Sequence, residues 1–255
     1  MSNQKIIITP LGTVSPYCKG NQNCPGFLVN YNNQKILLDC GNGVTRLLNF
    51  PDDLKNLSVI ISHLHKDHFG DLSGIQYAAY VFNNYNLLSK KVDVYLPKTE
   101  YLDNKSAIIK MKESFTNYFD ITEKTKYLID NLKISFKNNP GHNIESYAIK
   151  LENDLFKIVY TGDIGREDTK ELIKFCENAD LLICESSFIE SHNATSSQHY
   201  HAYEAANLAK KANVKQLMIT HFWPETPKEN YLKEAKEIFK NTIIAEEGEK
   251  VVLNK

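Results

Sequence analysis

The 255-residue sequence is poor in cysteine and has no long apolar run. Its five cysteines are an odd number and none belongs to a CxxC pair, so a disulfide framework and a cysteine-ligated zinc site are both disfavoured and we expect reduced thiols. No apolar stretch approaches the about 20 residues that a membrane-spanning helix needs, and the first residues do not resemble a signal peptide. We therefore expect a cytoplasmic protein without a membrane partner.

A large charge of one sign is also missing. The 30 lysines and arginines are balanced by 31 aspartates and glutamates, which leaves a formal net charge of -1. No global basic field would attract nucleic acid, although a local basic patch is compatible with these totals. The apolar content of 42% is ordinary for a globular protein, and the length predicts a single domain over residues 1–255.

Hydrophobic patterning predicts a strand-rich first part and an alternation of helices and strands in the last part. Strands are predicted at residues 5–9, 26–30, 35–39, 58–62, 132–137, 146–151, 156–161, 180–184 and 216–220. Helices are predicted at residues 72–85, 104–118, 167–177, 202–212 and 228–240. The three strands between residues 132 and 161 follow one another closely, which favours antiparallel pairing. Together the elements predict sheets in the middle of the molecule with helices outside them.

Five predicted strands each run into side chains that can bind a metal ion. In chain order these are the His63–His68 cluster, His142, Asp163, Glu185 and His221. Strand ends of this kind converge on a crevice in open α/β architectures. We therefore expect these side chains to meet in one site.

The sequence HLHKDH is the most specific of these signals. His63 and His65 are two residues apart, so on an extended backbone they point the same way. Asp67 and His68 lie beyond them, where the chain must turn, and can reach a neighbouring ion. Imidazole with carboxylate suits zinc, and also manganese or iron. Taken alone, the later histidines would more often be structural and the later aspartate a turn residue, but beside this cluster they become ligand candidates.

These motifs resemble the metallo-β-lactamase superfamily. The resemblance rests on HLHKDH, GH at 141–142, TGD at 161–163, ITH at 219–221 and LLDCGNGV at 37–44. It implies an α/β (α+β) fold, a four-layer αββα sandwich with a two-metal site along one edge of the sheets. Carried over residue by residue, it implies that one ion is held by His63, His65 and His142 and the second by Asp67, His68 and His221. Asp163 would bridge both ions.

Two further stretches resemble the tRNase Z branch. CESSF at 184–188 is similar to its HEAT-type motif, with Glu185 as the acidic residue, and HYH at 199–201 is similar to its HST-type motif. Aligning the following alanine pair and keeping the distance to His221 selects His199 as the motif histidine, with His201 as the alternative. The sequence departs from the pattern, because CES replaces HEA and HYH replaces HST.

The tRNA-gripping arm of tRNase Z is inserted between the counterparts of His142 and Asp163. Only twenty residues separate the two positions here, and predicted strands fill most of them. The resemblance is therefore to short bacterial tRNase Z-like hydrolases that lack the arm.

The predicted function is a binuclear metal-dependent phosphodiesterase acting on small or short single-stranded substrates, with nucleic acid only as a substrate. Asp67 would orient the attacking water, and Glu185 would keep His199 protonated to serve the leaving alkoxide. One alternative is a lactone, thioester or carboxylic ester hydrolase on the same scaffold. A tRNA 3′-processing endonuclease is disfavoured by the missing arm, and a non-catalytic binding module by the presence of all seven ligands. The substrate, the native metal and homodimer formation stay open.

Two other features could contribute to the site. The loop at residues 15–26 is rich in Gly, Asn and Pro, and its Lys19 could meet a phosphate, although a plain surface loop fits equally well. Trp223 directly follows the His221 motif and could form a pocket wall.

Overall fold

The computed structural model describes residues 4–110, 115–139, 141–166, 169–196 and 198–255. Within these ranges the chain forms two seven-stranded mixed sheets. The first sheet contains β1 (Lys5–Gly12), β2 (Gly26–Tyr31), β3 (Gln34–Leu38), β4 (Leu57–Ile60), β5 (Val92–Pro97), β6 (Thr116–Ile121) and β14 (Val251–Asn254). The second contains β7 (Lys126–Ile129), β8 (Leu132–Asn138), β9 (Tyr147–Glu152), β10 (Lys157–Tyr160), β11 (Leu181–Glu185), β12 (Leu217–Thr220) and β13 (Thr242–Ile244). The helices are α1 (Lys66–Phe69), α2 (Leu72–Asn84), α3 (Asn104–Ile109), α4 (Lys170–Cys176), α5 (Ala202–Lys211) and α6 (Lys228–Ile238).

The strand order is β14-β1-β2-β3-β4-β5-β6 in the first sheet and β13-β12-β11-β10-β9-β8-β7 in the second. From β3 to β6 the neighbours are parallel, as they are from β10 to β13. β8, β9 and β10 pair antiparallel, as predicted from their close succession.

Three apolar clusters show that the fold has four layers. In β3, Ile36 and Leu38 join the cluster between the sheets, whereas Leu37 joins the cluster under α2 and α3. In β11, Ile183 faces the other sheet, whereas Leu182 faces the cluster formed with α4, α5 and α6. Both faces of these strands are therefore buried, which explains their continuous apolar sequences. This confirms the predicted αββα sandwich.

The predicted helix at residues 104–118 is wrong in its second half. α3 ends at Ile109, residues 111–114 lie outside the described ranges, and β6 begins at Thr116. β6 pairs in parallel with β5 along its whole length, and this pairing outweighs the helix-like spacing of apolar residues. Strands β5, β7, β13 and β14 were not predicted either. The helix expected from residue 167 begins at Lys170, and residues 167–168 lie outside the described ranges.

None of the helices in the described ranges has the length and apolar character needed to cross a bilayer. The assignment of residues 1–255 to one domain stays a prediction.

The carboxyl ends of β4, β10, β11 and β12 lie at one edge of the sandwich, and the candidate site is at this edge. There the two sheets are joined by a hydrogen bond from the Tyr147 amide to the Ser62 carbonyl (3.1 Å).

Candidate metal centre

The segment after β4 first continues extended and then turns into α1. His65 has an extended backbone (φ -78°, ψ 143°) directly before Lys66, the first residue of α1. Asp67 and His68 lie in that single helical turn, where the His68 amide donates to the His65 carbonyl (3.0 Å). The local backbone therefore divides the motif into two pairs of ligand candidates, as its spacing predicted.

The first ligand cluster consists of His63, His65, His142 and Asp163. His65 Nδ1 lies 3.0 Å from His63 Nε2 and 3.3 Å from His142 Nε2. His63 Nε2 lies 3.5 Å from Asp163 Oδ2. A tetrahedral zinc ion with Zn–N distances of about 2.0–2.1 Å separates neighbouring ligand atoms by about 3.3 Å. The spacing of the four atoms fits such an ion.

The second ligand cluster consists of Asp67, His68 and His221, with Asp163 on its border. His68 Nε2 lies 3.2 Å from His221 Nε2 and 3.6 Å from Asp67 Oδ2. Asp163 Oδ1 is 3.0 Å from His221 Nε2 and 3.2 Å from His68 Nε2. These four atoms could also surround an ion.

Asp163 is buried between the clusters and turns a different oxygen to each. Oδ2 faces His63, whereas Oδ1 faces His68 and His221. Among the described residues, no donor forms a hydrogen bond of normal geometry with Oδ1, although that atom is fully buried. A buried carboxylate oxygen without a donor is costly unless a cation satisfies it. This orphaned oxygen fits a metal ion shared between the clusters.

The protonation states also suit metal binding. Burial lowers the pKa of His65 to about 3 and the pKa of His142 to about 4, so both rings are neutral near pH 7. Burial opposes ionisation of Asp163, but His221, His68 and His63 hold its pKa well below the usual range. Neutral imidazoles and an ionised carboxylate are the forms that ligate metals.

Asp39 fixes the orientation of His68 from the end of β3. Its Oδ2 accepts hydrogen bonds from His68 Nδ1 (2.7 Å), Ser62 Oγ (2.8 Å) and Tyr160 Oη (2.6 Å). Because the Ser62 hydroxyl hydrogen goes to Asp39, His63 Nδ1 must donate to Ser62 Oγ (3.0 Å). In both rings Nδ1 is therefore engaged by these outer groups, and Nε2 is the nitrogen turned towards the ligand clusters. Asp39 and Ser62 were not predicted as site residues.

Serines support the second cluster on its other sides. Ser187 Oγ donates to Glu185 Oε2 (2.7 Å), so His221 Nδ1 must donate to Ser187 Oγ (2.8 Å). Ser15 Oγ donates to Asp67 Oδ2 (2.8 Å). Sequence reasoning missed both serines, although Ser187 lies in the CESSF stretch.

His221 has a left-handed backbone, with φ of 66°. This conformation is uncommon for a residue other than glycine and costs free energy. It persists because the backbone on both sides is held: the Phe222 amide donates to the Thr13 carbonyl (2.9 Å), and the Thr220 carbonyl accepts from the Ser186 amide (2.8 Å). The turn aims the ring back into the site.

Comparisons with known proteins agree with this geometry. The family model described as "Beta-lactamase superfamily domain" matches residues 34–222. The chain belongs to the beta-lactamase superfamily.

Relatives in this superfamily include hydrolases that match over nearly the whole chain. Ribonuclease Z of Archaeoglobus fulgidus is 29% identical over 297 residues, covering 94% of this chain and 95% of the relative. The probable metallo-hydrolase YhfI of Bacillus subtilis is 29% identical over 252 residues, covering 94% and 97%. This chain is a superfamily hydrolase, and its predicted resemblance to tRNase Z-like proteins is confirmed.

Two solved structures have the same fold. The crystal structure of YhfI from Bacillus subtilis superposes with a TM-score of 0.85 at 27% identity, covering 96% of this chain and 99% of that one. Human tRNase Z, short form, superposes with a TM-score of 0.74 at 20% identity, covering 96% and 98%.

The structure separates His199 and His201, the two candidates for the histidine of the HST-type motif. His199 Nδ1 lies 3.2 Å from both carboxylate oxygens of Glu185 and 3.8 Å from Asp163 Oδ2. His201 instead precedes α5, where its ring lies 3.2 Å from Glu204 and 3.1 Å from Arg166. His201 therefore has structural partners, whereas His199 faces the ligand clusters.

The contacts of His199 also allow a second interpretation. Ligand atoms of His199, Asp163 and His221 lie close enough together to hold an ion. Glu185 and Ser187 connect His199 to His221 through hydrogen bonds. His199 is thus either a group outside the metal ligands or a metal ligand itself. Substituting His199 would lower the metal content only in the second case.

The loop at residues 15–26 lies against the segment that follows His221. The Ser15 amide donates to the Phe222 carbonyl (3.0 Å), and Tyr17 donates to Glu225 (3.1 Å). Lys19 forms an exposed ion pair with the same Glu225. The loop is therefore near the site, but its lysine already has an anionic partner.

Proposed function

We propose that this hydrolase is a binuclear phosphodiesterase acting on small or short single-stranded phosphodiesters. The observation that carries the proposal is the position of His199, which contacts Glu185 and lies 3.8 Å from the shared Asp163. The superfamily fold and the cluster of metal-capable residues support a hydrolase that binds two metal ions. The predicted cytoplasmic location and any homodimer stay predictions.

Two zinc ions are the proposed cofactors, with manganese or iron as alternatives. His63, His65 and His142 would hold one ion and Asp67, His68 and His221 the other, with Asp163 ligating both. The set contains nitrogen and oxygen ligands only, which suits these metals. Bound ions would supply a water of lowered pKa and positive charge for the phosphoryl oxygens. Asp67 would also orient the attacking water.

His199 is the proposed proton donor to the leaving alkoxide. Burial alone would lower its pKa, but the Glu185 carboxylate and Asp163 raise the pKa of His199 to about 9. The ring therefore carries a proton at neutral pH in the metal-free protein, and positive ions nearby would bring its pKa down towards the working range. A poor alkoxide leaving group gains from such a donor, which favours phosphodiesters over thioesters.

We propose small substrates because strands and a short turn occupy the segment in which tRNase Z carries its tRNA arm. Between His142 and Asp163 every residue is described, and β9 and β10 are joined there by a tight turn at residues 153–156. The alignment with the archaeal ribonuclease Z spans 297 positions, more than the 255 residues of this chain, so that relative has residues without a counterpart here. The alignment with YhfI spans only 252.

Substrate panels test the proposal. Zinc-loaded protein should hydrolyse bis-p-nitrophenyl phosphate and short dinucleotides much faster than lactones and thioesters. It should process 3′-extended pre-tRNA poorly beside an arm-bearing tRNase Z. Preference for lactones or thioesters would refute the phosphodiesterase, and efficient pre-tRNA processing would refute the restriction to short substrates.

A further inference from the structure

A cavity of about 280 Å³ lies beside the candidate proton donor and has no role in the proposed function. It is lined by Phe188, His192, Ala194, Trp223 and Thr226. The two large aromatic rings come from segments that also carry site residues. Phe188 follows Glu185 by three positions, and Trp223 follows His221 by two.

Hydrogen bonds hold the backbone from which both rings project. The Ala202 amide donates to the Phe188 carbonyl (2.8 Å), and the Phe188 amide donates to the Tyr200 carbonyl (3.2 Å). The Phe188 ring centre is 6.2 Å from that of His199. The Trp223 amide donates to Tyr231 Oη (3.1 Å). The Phe188 wall of the cavity is therefore close to the proposed proton donor.

The walls combine flat aromatic surface with a polar edge. Trp223 is 39% exposed, and the Tyr17 ring packs against it edge-on with centres 6.0 Å apart. On another side, His192 Nε2 and Thr226 Oγ1 form a hydrogen bond of 2.9 Å. A flat ligand with polar edges matches this combination, because aromatic rings stack on its face and the polar pair can bind its rim. An aliphatic acyl chain would leave the polar pair unused.

We propose that this cavity binds the nucleobase of the nucleoside that leaves during hydrolysis. The inference rests on the proposed phosphodiesterase function. His199 serves the leaving oxygen, and Phe188 adjoins His199, so the cavity lies on the leaving-group side of the phosphate. Stacking on Trp223 and Phe188 accepts any base, and it favours substrates in which that base is unpaired.

Direct binding can be measured because Trp223 is the single tryptophan of the chain. Adenosine added to zinc-loaded protein should quench the tryptophan fluorescence saturably, whereas ribose should not. Phe188→Leu, which keeps the reporter, should raise the Kd for adenosine about tenfold or more, since stacking on one ring is worth about that much. Tyr85→Leu is the matched control, because that ring is exposed at the end of α2, and it should leave the Kd unchanged.

Kinetics then place the base relative to the reaction. In a dinucleotide, one nucleoside leaves without the phosphate. Removing the base of that nucleoside should raise the KM about tenfold or more, whereas removing the other base should change the KM little. Trp223→Leu should raise the KM for the complete dinucleotide and not for the one already lacking the leaving base.

The outcomes separate the inference from the proposed function. Dinucleotide hydrolysis without quenching by adenosine, or with equal effects of removing either base, overturns the inference alone. Saturable quenching by hexanoate but not by adenosine identifies an acyl pocket and also overturns it. Quenching by adenosine that Phe188→Leu weakens, in a protein that hydrolyses no phosphodiester, supports the nucleobase site and overturns the phosphodiesterase.

Discussion

The two ligand clusters share Asp163 but differ in charge and in burial. The first cluster offers three imidazoles besides Asp163, and two of them, His65 and His142, are half-buried. The second cluster adds the carboxylate of Asp67, and His68 and His221 are buried. An extra negative charge in a drier site strengthens attraction to a cation.

The clusters differ also in the groups that form hydrogen bonds with the Nδ1 atoms of their histidines. His142 Nδ1 contacts only the Gln198 carbonyl among the described residues, at a long 3.3 Å. His68 is backed by Asp39 at 2.7 Å and His221 by Ser187 at 2.8 Å. Such outer partners orient ligands and raise metal affinity about 10–100-fold. We therefore expect the second cluster to hold its ion more tightly and the first to lose it sooner.

The largest effect should come from the one residue that both clusters share. Asp163→Ala should reduce the metal content from about two equivalents towards none, because each cluster loses a buried anionic ligand. Hydrolysis should fall to the background rate. Metal analysis of protein purified without chelator and reloaded with zinc measures the change.

The control for this variant is Asp154→Ala, which removes an exposed aspartate in the turn between β9 and β10. It should bind two equivalents. If Asp163→Ala kept one tightly bound ion, Asp163 would belong to a single cluster. If the unchanged protein bound only one ion, the binuclear assignment would be wrong.

The next effect concerns His199, which touches Asp163 while belonging to neither proposed ligand trio. His199→Ala should lower kcat about 10²–10⁴-fold for alkoxide leaving groups and leave the metal content unchanged. The loss should shrink with p-nitrophenolate, which leaves without a proton. Glu185→Gln should act in the same direction, and the double variant should be non-additive.

Three results would reassign these roles. Metal loss in His199→Ala would make His199 a ligand, in the group with Asp163 and His221. A leaving-group-dependent loss in His201→Ala, with none in His199→Ala, would make His201 the acid. Equal losses for all leaving groups would give His199 a positioning role.

That the ligand candidates lie close together could be predicted from the sequence, because their positions follow local rules. Each lies where a buried strand ends, and parallel strands end at one edge. The partners behind them depend on pairing between distant segments. Ser62 meets Asp39 only because β3 and β4 pair in parallel register, with Leu38 opposite Ile60. No spacing within either strand encodes that contact.

The same limit explains the error in the fold. The pattern from residue 104 suits a helix, and α3 does form at its start. Thr116 and the residues after it become a strand because β5 offers an unpaired edge. Strand formation there is decided by a neighbour 24 residues earlier, so local propensity could not reveal it.

Asp39→Asn should cause a smaller loss of zinc affinity, mainly in the second cluster. The amide group would place a donor where Asp39 now accepts from His68, Ser62 and Tyr160. We expect zinc affinity of the second cluster to fall about 10–100-fold. The first cluster should be weakened less, because Asp39 reaches His63 only through Ser62. Stepwise titration against a chromophoric chelator measures both affinities.

Tyr160→Phe is the milder companion, since it removes one of these donors and leaves the carboxylate. It should weaken the same cluster less than Asp39→Asn. Equal weakening of both clusters would mean that Asp39 supports the edge of the sandwich as a whole, rather than His68 in particular.

The smallest predicted difference between the clusters is in the number of protons that each releases when it binds a metal ion. Burial lowers the pKa of His68, but Asp163, Asp67 and Asp39 outweigh it and raise the pKa well above the usual value. His68 is therefore protonated near pH 7 without metal, and an ion must displace that proton. His65 and His142, with pKa values of about 3 and 4, have none to release there. Zinc affinity of the second cluster should thus fall as pH drops from 7 to 5, by up to about tenfold per pH unit.

Two variants isolate the clusters for this measurement. His65→Ala leaves the second cluster intact, and His221→Ala leaves the first. Calorimetry at pH 7 in two buffers of different ionisation enthalpy gives the protons released per ion. The His65→Ala protein should release about one proton more than the His221→Ala protein, because only its ion displaces the proton of His68. Equal release from both variants would mean that the buried carboxylates around His68 do not keep it protonated, and the electrostatic contrast between the clusters would then rest on Asp67 alone.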